Sequence, residues 1–131
     1  MNKDFVPYAP SLALEELGFN ESCLATIDQT EYVHIKGTKE PIRGSMMYFP
    51  VECPLYQQAF RWFREKHKLH AWTSSRTDIN GNTIYIAHGR TIPDTTKDNM
   101  IVDIITYNVF STVEEAELDC LIKLIEIVKT K

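Results

Sequence analysis

Residues 71–88 read AWTSSRTDINGNTIYIAH. The Asn80-Gly81 pair is the strongest short hairpin signal in the chain, because a type I′ turn needs positive φ at both central residues. It predicts a strand over Ala71–Asp78 joined to another over Thr83–His88. Ile84 and Ile86 then share one face, and Tyr85 and Ala87 share the other.

On the C-terminal side, Thr91 to Asn99 is polar and holds Pro93, which marks a loop over 91–99. Met100 to Tyr107 is rich in β-branched residues and reads as a third strand, with Asp103 its odd member. The last segment is a helix. Thr112 and Glu115 have capping-box spacing, and Glu114, Glu115 and Glu117 suit the positive helix end. Val113, Ala116, Cys120, Leu124 and Ile127 form a helical stripe, which Leu121 and Val128 broaden. Leu118, Ile122 and Ile125 make a neighbouring row. Apolar residues thus cover most of the circumference, so this row needs cover from the first helix or from a second copy of the chain.

On the N-terminal side, Pro54 suits a first helical turn. Leu55, Ala59, Trp62 and Phe63, widened by Tyr56 and Phe60, form an apolar face. Arg61, Arg64, Glu65, Lys66 and Lys68 take the wet side. Residues 37–46 hold Gly37, Pro41 and Gly44 and read as a loop; Met46 to Val51 is a short strand or a covered loop. Before them, Leu24–Ile27 and Tyr32–Ile35 flank the polar turn Asp28–Glu31 as a first hairpin. Ser11 is read as the cap of a short helix ended by Gly18, on which Phe19 folds back. Residues 1–10, with two prolines and no periodicity, read as an arm. The order is helix, hairpin, helix, three strands, helix, in one domain over 1–131. The expected class is α+β, an antiparallel sheet of two hairpins plus a further strand, with helices packed on it.

The 131 residues carry a formal net charge of −4, with 44% hydrophobic and 24% charged side chains. No global positive field attracts nucleic acid or anionic lipid. Leu121 to Val128, the most apolar stretch, is interrupted by Lys123 and Glu126 and falls far short of the ~20 residues of a membrane span. The N-terminus lacks a signal-peptide core. Cys23, Cys53 and Cys120 are scattered, which suits buried thiols in a cytoplasmic protein better than disulfides or zinc.

Chemistry is sparse. His67 and His70 have metal-compatible spacing and would need Glu65 or Asp103 to complete a site. His67 near a helix C-terminus is already favoured by the dipole, so no metal is assigned. There is no phosphate loop, nucleotide fingerprint or nucleophile elbow; no catalytic residue or cofactor is assigned. From Pro54 onward the element order equals that of a double-stranded-RNA-binding domain, and Arg61, Arg64, Lys68 and Arg76 offer cations. The acidic start of the last helix opposes a phosphate backbone, so nucleic acid is the alternative partner, not the expected one.

Three stretches carry a resemblance: ELGF at 16–19 leading to Cys23, QAFRWFREKH at 58–67, and TVEEAELDCLIKLIEIVK at 112–129. Together they resemble a group of small uncharacterised proteins carried by bacteriophages and other bacterial mobile elements; Ser22 stands where that group has proline. The resemblance implies a genomic setting and brings no activity. The expectation is an accessory protein that acts by self-association, as a homodimer, or on a bacterial host or phage protein. The Leu118, Ile122 and Ile125 row is its candidate surface.

Overall fold

The structure is a computed structural model that describes residues 2–37, 49–92 and 103–130, with the backbone alone at 2 and 103–107. They form two compact units, Met1–Gln58 and Ala59–Lys131. The class is α+β, with the strands divided between two antiparallel three-stranded sheets instead of gathered in one.

In the first unit, α1 spans Tyr8–Glu16 with Pro7 at its cap position. Ser11 therefore lies inside the helix and does not cap it. Its hydroxyl is buried and donates to the Val6 carbonyl at 3.1 Å. The C-terminal expectation holds: Gly18 has φ +100°, and the Gly18 and Phe19 N–H groups donate to the Glu15 and Leu14 carbonyls. That is the Schellman arrangement, with Phe19 buried beside it. Strands β1 (Ala25–Ile27), β2 (Val33–Ile35) and β3 (Val51–Cys53) are ordered β2-β1-β3. The polar turn is closed by the Asp28 carboxylate, which accepts from the Thr30 and Tyr32 N–H groups.

The first ten residues are more than an arm. Phe5 and Val6 are buried, Val6 N–H donates to the Pro54 carbonyl, and Phe5 bridges Leu55. This pairing holds Pro54 and Leu55 ahead of the next helix, so Pro54 is not in its first turn. Phe5, Ala25, Ile27 and Cys53 form a core, packed by Tyr8, Val33, Ile35, Val51 and Leu55.

Helix α2 spans Tyr56–His67 and crosses the boundary between the units. Ala59, Phe60, Trp62 and Phe63 are buried, while Arg61, Arg64, Glu65 and Lys66 are exposed. The helix stops without a glycine, because Lys68 itself takes φ +56°. Strands β4 (Leu69–Thr77), β5 (Thr83–Thr91) and β6 (Asp103–Phe110) follow in that spatial order. The expected loop at 37–46 lies outside the described residues except for Gly37. The loop at 91–99 does likewise beyond Ile92, and Thr91 belongs to β5. The start of the third strand at 100–102 is also outside them.

The hairpin turn differs from the sequence reading. Gly81 has φ +82°, but Asn80 is not among the residues with positive φ. The Gly81 N–H donates to the Asp78 carbonyl, and the Asp78 N–H to the Asn82 carbonyl. Asp78 Oδ1 accepts from the Asn80 and Asn82 N–H groups. This is a three-residue loop built on a type I turn, with Gly81 in the left-handed position. Replacing Gly81 with valine puts a β-branched residue there. It is expected to cost about 1–3 kcal/mol, read as a lower thermal midpoint; an unchanged midpoint contradicts the assignment.

Helix α3, Val113–Lys129, has Thr112 at its cap as the sequence predicts, with one half of the capping box formed. Thr112 Oγ1 accepts from the Glu115 N–H, and the Glu115 carboxylate accepts from the Thr112 and Ser111 hydroxyls. Asn108 donates to Asp119 at 3.1 Å, which fixes the sheet face beneath the helix. Asn108 pairs with Ala87, and Ala87 with Thr73, so the same face carries Ala71 and Gly89 one row away. These small residues admit a close approach. Cys120 Sγ lies 3.6 Å from the Trp72 carbonyl and 3.7 Å from that of His88.

Candidate functional site

The candidate row on α3 is not one exposed surface. Ile125 is buried at 5% exposure, Leu118 is half-buried, and only Ile122, at 38%, is exposed. The buried residues Ala116, Cys120, Leu121, Leu124 and Ile125 sweep about half the helix circumference at ~100° per residue. Ile125 marks one end of that arc, Leu118 lies ~20° beyond it and Ile122 ~60° beyond it.

The basic candidates Arg61, Arg64, Lys68 and Arg76 are all exposed. Arg61 and Arg64 share one side of α2, Lys68 is the link to β4, and Arg76 lies near the hairpin tip. The two histidines of the metal hypothesis part company. His67 packs its ring against Trp62 at 4.9 Å and Phe63 at 5.8 Å, whereas His70 stacks on Trp72 at 5.0 Å. Among the described residues, no three His, Cys, Asp or Glu side chains gather as metal ligands.

The most ordered polar constellation includes Arg76, one of the cations the sequence offered, and aligns it with His70 and with His88, the second of which the sequence reading left as an isolated residue. It lies on the β4–β5 face opposite α3. His70, Trp72, Ser74 and Arg76 alternate along β4, and their cross-strand partners are Arg90, His88, Ile86 and Ile84. The Trp72 indole stacks with His70 (5.0 Å, 24°) and with His88 (5.0 Å, 8°), and the Arg90 guanidinium lies 4.9 Å from its centroid. The Ser74 hydroxyl is 2.7 Å from His88 Nε2, which orients that imidazole. Parallel rings at such separations are offset stacks, and the guanidinium adds a cation–π contact.

Arg76 and Arg90 lie on this face, and Asp103 of β6 is the register partner of Arg90. Burial, then the Arg64 and Arg90 charges, lower the His70 pKa, so its imidazole is neutral at pH 7. Its Nδ1 is buried with no hydrogen-bond partner among the described residues. Ser74–His88 has the spacing of a nucleophile and base, but acyl transfer also needs N–H donors for an oxyanion. Central β5 spends its N–H groups on ladders to β4 and β6, while β4, which carries Ser74, has β5 on one side only among the described residues.

A smaller polar row lies in the first unit. His34, Thr26 and Glu52 are aligned across β2, β1 and β3, and Lys36 pairs with Glu52 at 2.6 Å. His34 Nδ1 and Glu52 Oε2 are buried without a hydrogen-bond partner among the described residues.

Cys23, Cys53 and Cys120 are free and buried. Burial pushes the Cys23 thiol up to about 11 and the Cys53 and Cys120 thiols up to about 12, which removes the thiolate a cysteine nucleophile requires. Comparisons with protein-family models, curated proteins and solved structures give no match.

Proposed function

We propose that this chain is a small accessory protein of the phage and mobile-element type that acts by association, with a second copy of itself or with another protein, and not by covalent chemistry. The observation that carries this reading is an open edge of the second sheet, whose two outer strands among the described residues are β4 and β6. β6 is eight residues long and has β5 on one side only among the described residues. A long edge strand presents a row of backbone donors and acceptors to another strand. Val109 on that strand is 55% exposed on the sheet face away from α3, and Ile122 on α3 is 38% exposed. The protonated, buried thiols add support, because they leave no cysteine nucleophile.

Light scattering coupled to size exclusion tests the reading on the wild type, Val109→Lys and Ile122→Glu. The expected result is a dimer that becomes a folded monomer when lysine blunts the edge strand. A wild type that stays monomeric across micromolar concentrations overturns self-association. A host or phage protein then has to be the partner.

A further inference from the structure

We propose that the outer edge of β4 binds an acidic, extended peptide of a partner protein as an added strand. The proposal rests on the reading that this chain acts by association, and it names an edge and a partner chemistry which that reading leaves open. In strand addition the sheet edge supplies main-chain hydrogen bonds, and the side chains beside it select the peptide.

The phase of the β4–β5 ladder shows which backbone groups are open. The Ile92 N–H donates to the Lys68 carbonyl at 2.8 Å, and the Asp78 N–H donates to the Asn82 carbonyl at 2.9 Å. On the β4 side both bonds fall at even-numbered positions, and hydrogen-bonded positions of an antiparallel pair alternate. His70, Trp72, Ser74 and Arg76 therefore turn their N–H and carbonyl groups toward β5. Leu69, Ala71, Thr73, Ser75 and Thr77 turn theirs outward, where β4 has no neighbouring strand among the described residues. Leu69 and Ala71 are buried, Thr73 is half-buried, and Ser75 and Thr77 are exposed, so residues 73–77 form the accessible half of the edge. The β4–β5 register runs without a shift, whereas that of β5–β6 is interrupted. β4 also lacks the proline, lysine and bulge that close other sheet edges. Arg76 is its one permanently charged side chain.

Charge selects the peptide. Residues 64–77 hold Arg64, Lys66, Lys68 and Arg76 against one carboxylate, Glu65, in a chain of net charge −4. Arg64, Lys68 and Arg76 are exposed and make no ion pair among the described residues. Lys68 immediately precedes β4, and Arg64 is close enough to His70 to disfavour a positive charge there. Arg76 stands near the other end of the strand, so cations bracket the edge. At ~3.4 Å per residue, the eight steps from Lys68 to Arg76 span roughly 27 Å, the reach of an extended segment with a carboxylate toward each end. Asp78, just past β4, spends its Oδ1 on the turn N–H groups of Asn80 and Asn82. The acidic part of α3 lies toward the other edge of the sheet, where Asp119 accepts from Asn108 of β6. The two edges thus differ in sign, which directs an acidic strand to β4.

The test uses the full chain and an end-blocked, dye-labelled peptide of about eight residues in which glutamate and valine alternate. A lysine–valine and a glutamate–proline peptide of the same length are the comparisons. The expected result is anisotropy binding of the glutamate–valine peptide that weakens as salt is added. The other two should bind poorly, because lysine meets like charge and proline brings no N–H to the edge. Ser75→Pro removes one outward N–H and leaves the ladder to β5 intact, so it should weaken binding by roughly tenfold or more. Arg76→Glu should weaken it several-fold and flatten the salt dependence, and it serves where the proline variant does not fold. Lys129→Glu, at the end of α3, should leave binding unchanged. Failure of the glutamate–valine peptide to bind at low salt overturns the proposal, as does equal binding of either comparison peptide, or binding insensitive to both Ser75→Pro and Arg76→Glu. Light scattering keeps this result apart from self-association. A wild type that is monomeric and binds the peptide removes the dimer and supports the β4 assignment. A dimer that Ser75→Pro converts to a folded monomer assigns the β4 edge to a second copy and overturns it.

Discussion

Phe63→Ala is expected to lose about 3–5 kcal/mol of folding free energy, the usual cost of deleting a large buried aromatic side chain. Phe63 has no exposed surface. Its ring lies edge-on to Trp62 at 5.0 Å and 5.8 Å from His67, and rigid packing on α2 leaves a hole that neighbours fill only in part. Against a total stability of ~5–15 kcal/mol, such a loss unfolds much of the population at modest urea. Urea titration followed by fluorescence reads it as a lower midpoint with an unchanged slope. Leu124→Ala on α3 belongs to the same class, at about 2–5 kcal/mol. Ile122→Glu does not, because Ile122 already meets water. If Ile122→Glu destabilises as much as Phe63→Ala, the buried side of α3 has been misassigned.

That contrast also marks what the sequence could carry. Helical spacing identified the buried side of α2 and the stripe Ala116, Cys120 and Leu124, because periodicity reports which side is apolar. It could not place Ile125, since both α3 rows are equally apolar and only the width of the sheet decides where burial ends. The first helix was displaced at its start for a different reason. Ser11 looks like a cap in sequence, but its hydroxyl is used from inside the helix on the Val6 carbonyl, a contact set by the pairing of residues 5 and 6 with 54 and 55.

The alignment of His70 and His88 with Trp72 and Arg90 was hidden by one residue of register. A two-residue Asn80-Gly81 turn would set Trp72 opposite Gly89 and leave His88 on the other face. The three-residue loop instead sets Trp72 opposite His88 and His70 opposite Arg90. A shift of one position exchanges the faces of a strand, so the same residues read as scattered or as a stack according to the turn. The signal that separates the two turns is Asp78. Its carboxylate accepts from the Asn80 and Asn82 N–H groups, as an aspartate heading a type I turn does.

Alkaline pH should destabilise this protein through its cysteines. Cys23, Cys53 and Cys120 start from an ordinary value of 9.0 and are held at about 11, 12 and 12 by burial. Cys53 donates to the Val6 carbonyl at 3.2 Å, and Cys120 sits against the Trp72 and His88 carbonyls; both arrangements suit a thiol and oppose a thiolate. The sign follows from proton binding. Above pH 9 the unfolded chain releases these protons while the folded chain keeps them, so unfolding gains free energy as pH rises. The stabilising contribution is complete below pH 9 and disappears progressively toward pH 11–12. One unit of displacement corresponds to about 1.4 kcal/mol, so even a small part of the three shifts matters to a marginally stable fold. The expected observations are a thermal midpoint that is level through pH 8 and falls steeply above pH 9, and thiols that resist alkylation at pH 8 until urea is added. Cys120→Ala should fall less steeply than the wild type in the same alkaline range, whatever its stability at pH 7. Rapid alkylation of Cys53 or Cys120 in the folded protein, or a wild-type slope that Cys120→Ala leaves unchanged, would show that these thiols are not held protonated by the core.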